Sequence, residues 1–342
     1  MKTSESFSTY VLNTLSQNPL ESLPISEYSR AYLQKTLDML PYFEMFYESM
    51  LRCVQQQTPN LPLNTLHCVD LGGGNGLLSC FLLFKQVARV TYIDIYDGAA
   101  LDAQVLADVL QLKAHEYRVG DHTVIPKQAQ AILSVDVIEH IYNLEEYVRY
   151  TALHHAQACQ VHCTGANPYN PVINRRLMKV QQENEYVGRK AVYGHKPRDT
   201  QQPYREVRRQ LIQEKWGAKL SHEELNLLVD ATRGQNKADL LGSTQKYLQT
   251  GVVPTRLKHP TNTCDPLTGN WSEHLFTQKE LNAVLEPYAL KATYLTLPYY
   301  LANKKGIKKG ILQLLNALAR KVPRVAKIIQ PMLMICISSK KA

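Results

Sequence analysis

The stretch that decides the fold is VDLGGGNG, residues 69–76, which continues a short apolar run. Its four glycines, Gly72, Gly73, Gly74 and Gly76, lie where a strand would turn into a helix. Glycine allows positive φ and a close approach between the backbone and a ligand. The N-terminus of the following helix would present unbonded N–H groups, which bind anions and nucleotides. The segment therefore predicts a nucleotide-binding turn.

Two common nucleotide-binding loops do not fit these residues. The dinucleotide fingerprint G-x-G-x-x-G needs a small third residue at position 77, and that residue is Leu77. A P-loop needs Lys and then Ser or Thr after the glycines, whereas Leu77 and Leu78 follow here. The pattern that fits is D-x-G-x-G-x-G, which begins at Asp70.

Beyond the loop, short β-type runs alternate with helix-length segments. Such alternation predicts parallel strands covered by helices. We assign this core to residues 61–170 and 271–300. The second part includes Thr277 and Glu280, three residues apart as in a capping box.

Two further segments read as helical. Residues 1–60 have apolar side chains at helical spacing and many tyrosines, which either pack on the core or line a pocket. Residues 171–270 are polar, and we interpret them as a helical insertion or lid. Its arginines form either a solvated helix face or a site for an acceptor's phosphate or carboxylate; they are Arg205, Arg208, Arg209 and Arg233.

The loop and several later segments resemble the motifs of class I S-adenosylmethionine-dependent methyltransferases. Asp94 ends the second predicted strand, and Asp121 follows the third. The block 134–141 (SVDVIEHI), which contains Asp136, is similar to the fourth-strand segment of the branch that includes ubiquinone-biosynthesis enzymes. The block 274–281 (HLFTQKEL) also resembles that branch. The resemblance implies a Rossmann-like, doubly wound α/β fold with a mostly parallel sheet.

The resemblance also implies a cofactor, S-adenosyl-L-methionine, and the residues that bind it. The glycine loop would pass the amino-acid end of the cofactor, Asp94 would accept hydrogen bonds from the ribose hydroxyls, and Asp121 would lie near the adenine. The full predicted cofactor-binding set is Asp70, Gly72, Gly73, Gly74, Gly76, Asp94, Asp121 and Asp136.

Histidines supply the candidate catalytic residues. Methyl transfer needs alignment above all, and a hydroxyl acceptor also needs a base. His140 leaves the fourth predicted strand at the edge where ligands bind in such sheets, and His274 opens a late helix. The alternative for each is a packed or helix-end histidine. Glu139 and His140 are adjacent, but without further ligands they do not make a metal site, so we expect no essential metal.

The positive charge is concentrated at the C-terminus. Residues 301–342 contain ten basic residues and no acidic one, which leaves 29 basic and 30 acidic residues in 1–300. Apolar residues recur there at steps of three and four, typical of a basic amphipathic helix on an anionic membrane surface. The alternative is a helix packed on the body or on a partner chain. No run is long enough to span a bilayer.

These features predict a methyltransferase that O-methylates a small-molecule or lipid-linked glycan acceptor near a membrane surface. The seven cysteines include no CxxC pair, so we expect a reduced, cytoplasmic protein, peripheral to the inner face of the membrane through residues 303–337. A nearly neutral body disfavours nucleic-acid binding. The alternatives are a non-catalytic scaffold with a cofactor fold and a nucleic-acid methyltransferase.

Overall fold

The computed structural model describes residues 5–189, 200–302 and 304–339. The chain forms two compact units. The first contains Met1–Ile138, Leu144–Gly165 and Thr277–Ala342, and the second contains Glu139–Asn143 and Ala166–Phe276.

The first unit is built on one seven-stranded sheet. Its order is β3-β2-β1-β4-β5-β7-β6. Strands β1 to β5 are mutually parallel, and β7 runs antiparallel to both β5 and β6, so β6 points the same way as the first five. The predicted Rossmann-like α/β class with a mostly parallel sheet is confirmed. The strands are β1 (His67–Leu71), β2 (Arg89–Asp94), β3 (Glu116–Val119), β4 (Ala131–Val135), β5 (Cys159–Thr164), β6 (Leu290–Leu297) and β7 (Met332–Ser339).

The helices alternate with the strands as far as β5, except between β3 and β4, where a 3-10 turn, His122–Val124, takes the place of an α-helix. Among the described residues they are α1 (Phe7–Gln17), α2 (Glu27–Leu37), α3 (Leu40–Gln57), α4 (Leu77–Phe84), α5 (Asp97–Val109), α6 (Leu144–His154), α7 (Pro171–Tyr186), α8 (Tyr204–Trp216), α9 (His222–Ala231), α10 (Lys237–Thr250), α11 (Gln278–Leu285), α12 (Gly306–Lys321) and α13 (Pro323–Ile329). The predicted capping box is present at the start of α11, where Thr277 and Glu280 bond to each other's backbone.

Burial along the strands shows which side of the sheet is covered. Every residue of β1 and of β5 is buried, as expected for central strands with helices on both faces. In β6, buried and exposed residues alternate over most of the strand, so this edge strand is covered mainly on one face.

The N-terminal helices belong to the core of the first unit. Phe7 of α1 packs edge-on against Phe81 of α4, with ring centroids 5.5 Å apart, and Tyr47 of α3 lies 5.4 Å from the same ring. All three side chains are buried. Because aromatic side chains supply large apolar areas, these helices help to stabilise the sheet.

The C-terminal segment departs from the sequence prediction. The amphipathic helix exists as α12 and α13, but residues 301–342 do not form a tail only. They also contain β7, which lies between β5 and β6. The sequence analysis missed this strand because its partners, β5 and β6, are far away in sequence. None of the described helices is long and apolar enough to cross a membrane.

The second unit contains α7 to α10 and a buried ion pair. Arg208 of α8 is fully buried, and its guanidinium donates to both carboxylate oxygens of Glu185 in α7. Arg233 is also buried and donates to Thr263 Oγ1 at 2.6 Å. The solvated-face interpretation is therefore wrong for Arg208 and Arg233. Arg205 does lie at the surface, paired with Asp230.

Candidate functional site

The glycine loop turns at the carboxyl end of β1 and is fixed by its neighbour β2. The backbone nitrogens of Gly72 and Gly73 donate to the carbonyl oxygen of Ile93 at 2.7 and 3.0 Å. Tyr92 Oη donates to the carbonyl of Gly74 at 2.8 Å. The backbone nitrogen of Gly74 donates to Asp94 Oδ2 at 3.0 Å. The loop conformation is thus set by β2 before any ligand binds.

Gly73 and Gly74 differ in what a side chain at each position would meet. A Cβ on Gly73 would lie 2.4 Å from the ring of Tyr92, so packing beneath the loop excludes a side chain there. A Cβ on Gly74 would meet only the Tyr32 ring at 3.6 Å and the Gly72 carbonyl at 3.9 Å, although its φ of +53° disfavours most residues. A Cβ at Gly74 would therefore make ordinary van der Waals contacts, so the positive φ rather than packing favours glycine there.

Asp94 ends β2 with a buried carboxylate beside the loop. Its Oδ1 accepts from the backbone nitrogen of Tyr96 at 2.8 Å, while Oδ2 accepts from Gly74. A carboxylate has about four acceptor positions, so two remain for a ligand's hydroxyl groups. The structure thus brings the predicted glycine loop and the predicted ribose acid into direct contact.

Asp121 and Asp136 follow the ends of β3 and β4. Next to Asp121, the backbone nitrogen of Gly120 donates to the carbonyl of Asp94 at 2.9 Å, which places β3's end beside the loop of β2. The carboxylate of Asp121 accepts from Thr123. Asp136 is exposed, has φ +52° and accepts from the backbone nitrogen of Gly165 at 2.9 Å. All the predicted acids except Asp70 therefore follow or end strands at one sheet edge.

Asp70 lies beneath the loop. Its carboxylate accepts from the backbone nitrogen and hydroxyl of Ser79, at 3.0 and 2.8 Å, and is almost completely buried. Burial raises the pKa of Asp70 to about 7, although the bonds from Ser79 oppose the rise. In this position Asp70 fixes the start of α4 to β1.

Helix α2 contributes two residues to the loop that the sequence did not assign to the site. Asn75 Nδ2 donates to Thr36 Oγ1 at 3.1 Å, and the ring of Tyr32 would lie 3.6 Å from a Cβ on Gly74. The high tyrosine content of residues 1–60 was the available signal. It did not show which tyrosine reaches the loop.

His140 belongs to the second unit and is oriented by a carbonyl group of the same unit. Its Nδ1 lies 2.7 Å from the carbonyl oxygen of Trp271. A carbonyl only accepts, so Nδ1 carries the proton and the neutral ring has its lone pair on Nε2. His140 is therefore held in the tautomer that a general base requires.

His274 is held in the same way within the second unit. Its Nδ1 lies 2.8 Å from the carbonyl oxygen of Thr261, and its ring centroid is 4.2 Å from that of His259 and 4.8 Å from that of Trp271. This aromatic packing fits a structural histidine at least as well as a catalytic one.

A third residue, Glu273, lies close to Glu139 and His140. Each of these two residues and Glu273 offers a ligand atom, and all three atoms lie within 4.8 Å of one another. Carboxylates and imidazole suit a divalent cation, although ligands of one ion normally lie closer together. The fold brings Glu273 to Glu139 and His140 from a distant part of the sequence, which the sequence pattern did not show. The expectation of no essential metal stays a prediction.

Comparison with known proteins gives similar folds at very low identity. No protein-family model matches the sequence, and neither does any curated protein. The plantazolicin methyltransferase BpumL, solved with SAH, is 11% identical with a TM-score of 0.41, and the match covers 98% of this chain and 96% of that chain.

Two further solved structures are similar to the same degree. The plantazolicin methyltransferase BamL, solved with a triazolic desmethylPZN analog and SAH, is 11% identical with a TM-score of 0.43, and 98% of each chain is covered. A geranyl diphosphate methyltransferase in complex with GPP and sinefungin is 10% identical with a TM-score of 0.39, covering 86% of this chain and 76% of that chain. These values are too low to assign a role to any residue here.

Proposed function

We propose that the chain is a class I S-adenosylmethionine-dependent methyltransferase. The observation that carries the proposal is the contact between the glycine loop and Asp94, with the backbone nitrogen of Gly74 on Asp94 Oδ2 at 3.0 Å. Nucleotides bind in open α/β sheets at the carboxyl ends of the strands, where both elements lie. Glycine at position 74 lets the cofactor approach the backbone with no side chain between them.

The residues have distinct proposed roles in holding the cofactor. The loop of Gly72, Gly73, Gly74 and Gly76 passes its amino-acid end, and Asp94 uses its remaining acceptor positions for the ribose hydroxyls. Asp121 and Asp136 border the site at the ends of β3 and β4, while Asp70 supports the loop from below. When bound, the cofactor supplies an electrophilic methyl group on a sulfonium for in-line transfer to a nucleophile.

The acceptor group in this proposal is a hydroxyl. His140 Nε2 has a lone pair in the neutral ring and takes the hydroxyl proton, while the Trp271 carbonyl holds Nδ1–H and keeps the ring in place. The oxygen forms the new bond to the methyl carbon as the carbon–sulfur bond breaks, and the electron pair stays on sulfur. His274 is the second candidate for the base.

The proposed acceptor is a small molecule or lipid-linked glycan reached at a membrane surface. Support comes from α12, whose residues Ile307, Ile311, Leu314 and Leu318 recur at steps of three and four and are exposed. Ile307 is 85% exposed and Leu314 is 69% exposed. Lysines and arginines accompany this face and no acid occurs in 301–342, so an anionic lipid surface complements both its polarity and its charge.

Isothermal titration tests the cofactor proposal. We expect SAH to bind at one site per chain and NAD⁺, which needs a different fingerprint, to give no heat. Absence of SAH binding by folded protein would overturn the proposal. Labelled S-adenosylmethionine incubated with lipid and aqueous extracts then separates an enzyme from a scaffold, because a scaffold binds SAH but transfers no label.

Vesicle pelleting tests the membrane surface with a matched pair of variants. Leu314→Asp places a charge on the exposed face of α12, and Leu101→Asp makes the same change on α5, where the leucine is 64% exposed. We expect Leu314→Asp to weaken binding to phosphatidylglycerol vesicles by about tenfold, in line with the burial of one leucine, and Leu101→Asp to have little effect. Equal pelleting of both variants would contradict the membrane proposal.

A further inference from the structure

The first unit contains a cavity of about 920 Å³ beside the end of β6. Its wall includes Met45 of α3, Tyr299 and Tyr300 after β6, and Gln313, Ala317 and Arg320 of α12. The volume falls in the range of about 300–1,000 Å³ typical of small-molecule sites. None of these residues belongs to the proposed cofactor site.

The cavity has an apolar part and a single charge. Met45, Tyr300 and Leu301 present carbon surface, whereas Gln313 and Arg320 are polar. Among the described residues that line it, Arg320 is the one charged side chain and no carboxylate is present. A guanidinium without a carboxylate beside it in the lining favours an anionic group, which it can bind through two parallel hydrogen bonds.

Helix α12 faces this cavity with its polar side. Gln313, Ala317 and Arg320 recur at steps of four and three, and their face is different from that of Ile307, Ile311, Leu314 and Leu318. The helix therefore turns small and polar residues towards the cavity and large apolar residues outwards. This reverses the usual arrangement of a surface helix, which buries its apolar stripe.

Hydrogen bonds fix the wall of the cavity. Asn316 is buried, its Nδ2 donates to the carbonyl of Tyr299 at 2.9 Å, and its Oδ1 accepts from the backbone nitrogen of Tyr299 at 2.8 Å. Gln330 Nε2 donates to the same Oδ1 at 3.2 Å. The helix and the segment after β6 are thus tied together, and the space between them is a preformed part of the fold.

The cavity lies at the same sheet edge as the proposed cofactor site. Strands β4 and β6 run in the same direction, so both carboxyl ends point to this edge. The ring centroid of Tyr42 lies 5.4 Å from that of Tyr300. Burial raises the pKa of Tyr42, and nearby Tyr299 and Asp136 raise it further. Tyr42 therefore lies near both the cavity wall and Asp136.

We propose that this cavity binds the methyl acceptor, and that the acceptor is an amphiphile with an apolar chain and a phosphate or carboxylate held by Arg320. This inference rests on the proposed methyltransferase function, since it assigns the acceptor site of that enzyme. The apolar outer face of α12 would bring the cavity to the lipid layer in which such a molecule is dissolved.

Three probes separate the parts of the proposed ligand. Octyl phosphate has both chain and anion, octyl glucoside has the chain with a neutral head, and inorganic phosphate has the anion alone. Titration below the micelle concentration should show binding of octyl phosphate at one site per chain and much weaker binding of the other two. If octyl glucoside binds as tightly as octyl phosphate, the anion site is wrong.

Matched variants locate the binding. Arg320→Gln should weaken octyl phosphate binding by at least about tenfold, because charge-assisted bonds are lost, while Arg324→Gln on α13 should change it less than about twofold. Ala317→Phe should fill the cavity and abolish binding, and Leu314→Phe, on the other face of α12, should not. Equal affinities of wild type, Arg320→Gln and Ala317→Phe would overturn the proposal.

Titration of the same four variants with SAH distinguishes the two proposals. SAH binding should be unchanged in all of them, since none changes the cofactor site. If SAH fails to bind but octyl phosphate binds through Arg320, the cavity is an anion-binding site and the methyltransferase function fails. If SAH binds and octyl phosphate does not, the acceptor inference alone fails. Extraction of an endogenous acceptor from membranes or from the aqueous phase then identifies its source.

Discussion

The carboxylate of Asp94 and the backbone nitrogen of Gly74 lie 3.0 Å apart, joined by a hydrogen bond between the end of β2 and the turn after β1. Oδ1 of the same carboxylate holds the start of the segment that leads into α5, through the nitrogen of Tyr96. One side chain therefore fixes two backbone segments, and a carboxylate has further acceptor positions beyond these two bonds.

Asp94→Asn should weaken SAH binding by about tenfold to a hundredfold. The substitution replaces one carboxylate oxygen by an amide NH2 group, which cannot accept a hydrogen bond from a ribose hydroxyl. Hydrogen bonds to charged groups are worth about 1.5–3 kcal/mol. Asp97→Asn is the matched control, because Asp97 is exposed in the first turn of α5. Titration of both with SAH checks this. An Asp94→Asn affinity equal to that of the control would show that Asp94 holds only the loop.

Arg208→Ala should destabilise the second unit by about 3–5 kcal/mol, because the buried Glu185 loses the guanidinium that donates to both its oxygens and keeps only Arg233, at 3.9 Å. Arg205→Ala removes a partly exposed pair with Asp230 and should cost less than about 1 kcal/mol.

Urea unfolding followed by tryptophan fluorescence measures both changes, since the chain's two tryptophans, Trp216 and Trp271, lie in the second unit. Similar decreases in the free energy of unfolding for the two variants would mean that the buried Arg208–Glu185 pair contributes no more to stability than the Arg205–Asp230 pair.

Ending the chain after Gln330 should prevent the first unit from folding into a soluble form. The truncation removes β7, which pairs with β5 from Gln160 to Thr164 and with β6 along its whole length. Its loss would expose one edge of β5 and one of β6, and open edges promote aggregation. Ending after Ser339 is the control. Gel filtration of the two products checks the prediction, and a soluble monomer from the shorter chain would contradict it.

His162 should make the first unit less stable as the pH falls. It is buried in β5, with Nδ1 2.8 Å from Ser134 Oγ, and burial lowers its pKa to about 4. The unfolded chain, with a pKa of about 6.5, takes up the proton first. The histidine's contribution is therefore complete above about pH 6.5 and is lost as the pH falls towards 4.

His162→Gln provides the comparison. At pH 7 the variant should be less stable by about 1–3 kcal/mol, because it loses packing and a buried hydrogen bond. The difference in free energy of unfolding between wild type and variant should become smaller from pH 7 to pH 5, since only the wild type contains the titrating His162. Asp70 titrates in both proteins and cancels. Hydrogen exchange of β5 peptides measures this difference, and a constant difference over this range would contradict the assignment.

The sequence predicts the elements whose partners are close along the chain. Strands β1 to β5 each follow a helix or a short turn, so the alternation of β-type and helical segments along the chain was enough to predict them. Asp94 was found in the same way, as the acid at the end of the second strand. β7 was missed because Cys336 and its neighbours pair with Val161 and Thr293, far away in sequence. A short apolar run after an amphipathic helix carries no signal of such pairing.

The same reason explains what was missed at the candidate sites. Glu273 reaches Glu139 and His140, and Glu185 reaches Arg208, only through the fold of the second unit. The glycine pattern also did not show that the ring of Tyr92 excludes a side chain at Gly73, whereas a Cβ at Gly74 would meet no close obstruction. The spacing of the glycines predicts a turn, but the reason for each glycine depends on the side chains that the fold places around it.

The most direct test of the central claim is the affinity for SAH of Gly74→Asn beside that of Gly251→Asn. Asparagine tolerates positive φ, and both glycines have it, at +53° and +70°, with no close obstruction to a Cβ. Both variants should therefore fold. We predict that Gly74→Asn abolishes measurable SAH binding, because its side chain fills the cofactor's space, while Gly251→Asn binds like the wild type. SAH binding by a folded Gly74→Asn protein at wild-type affinity would contradict the account.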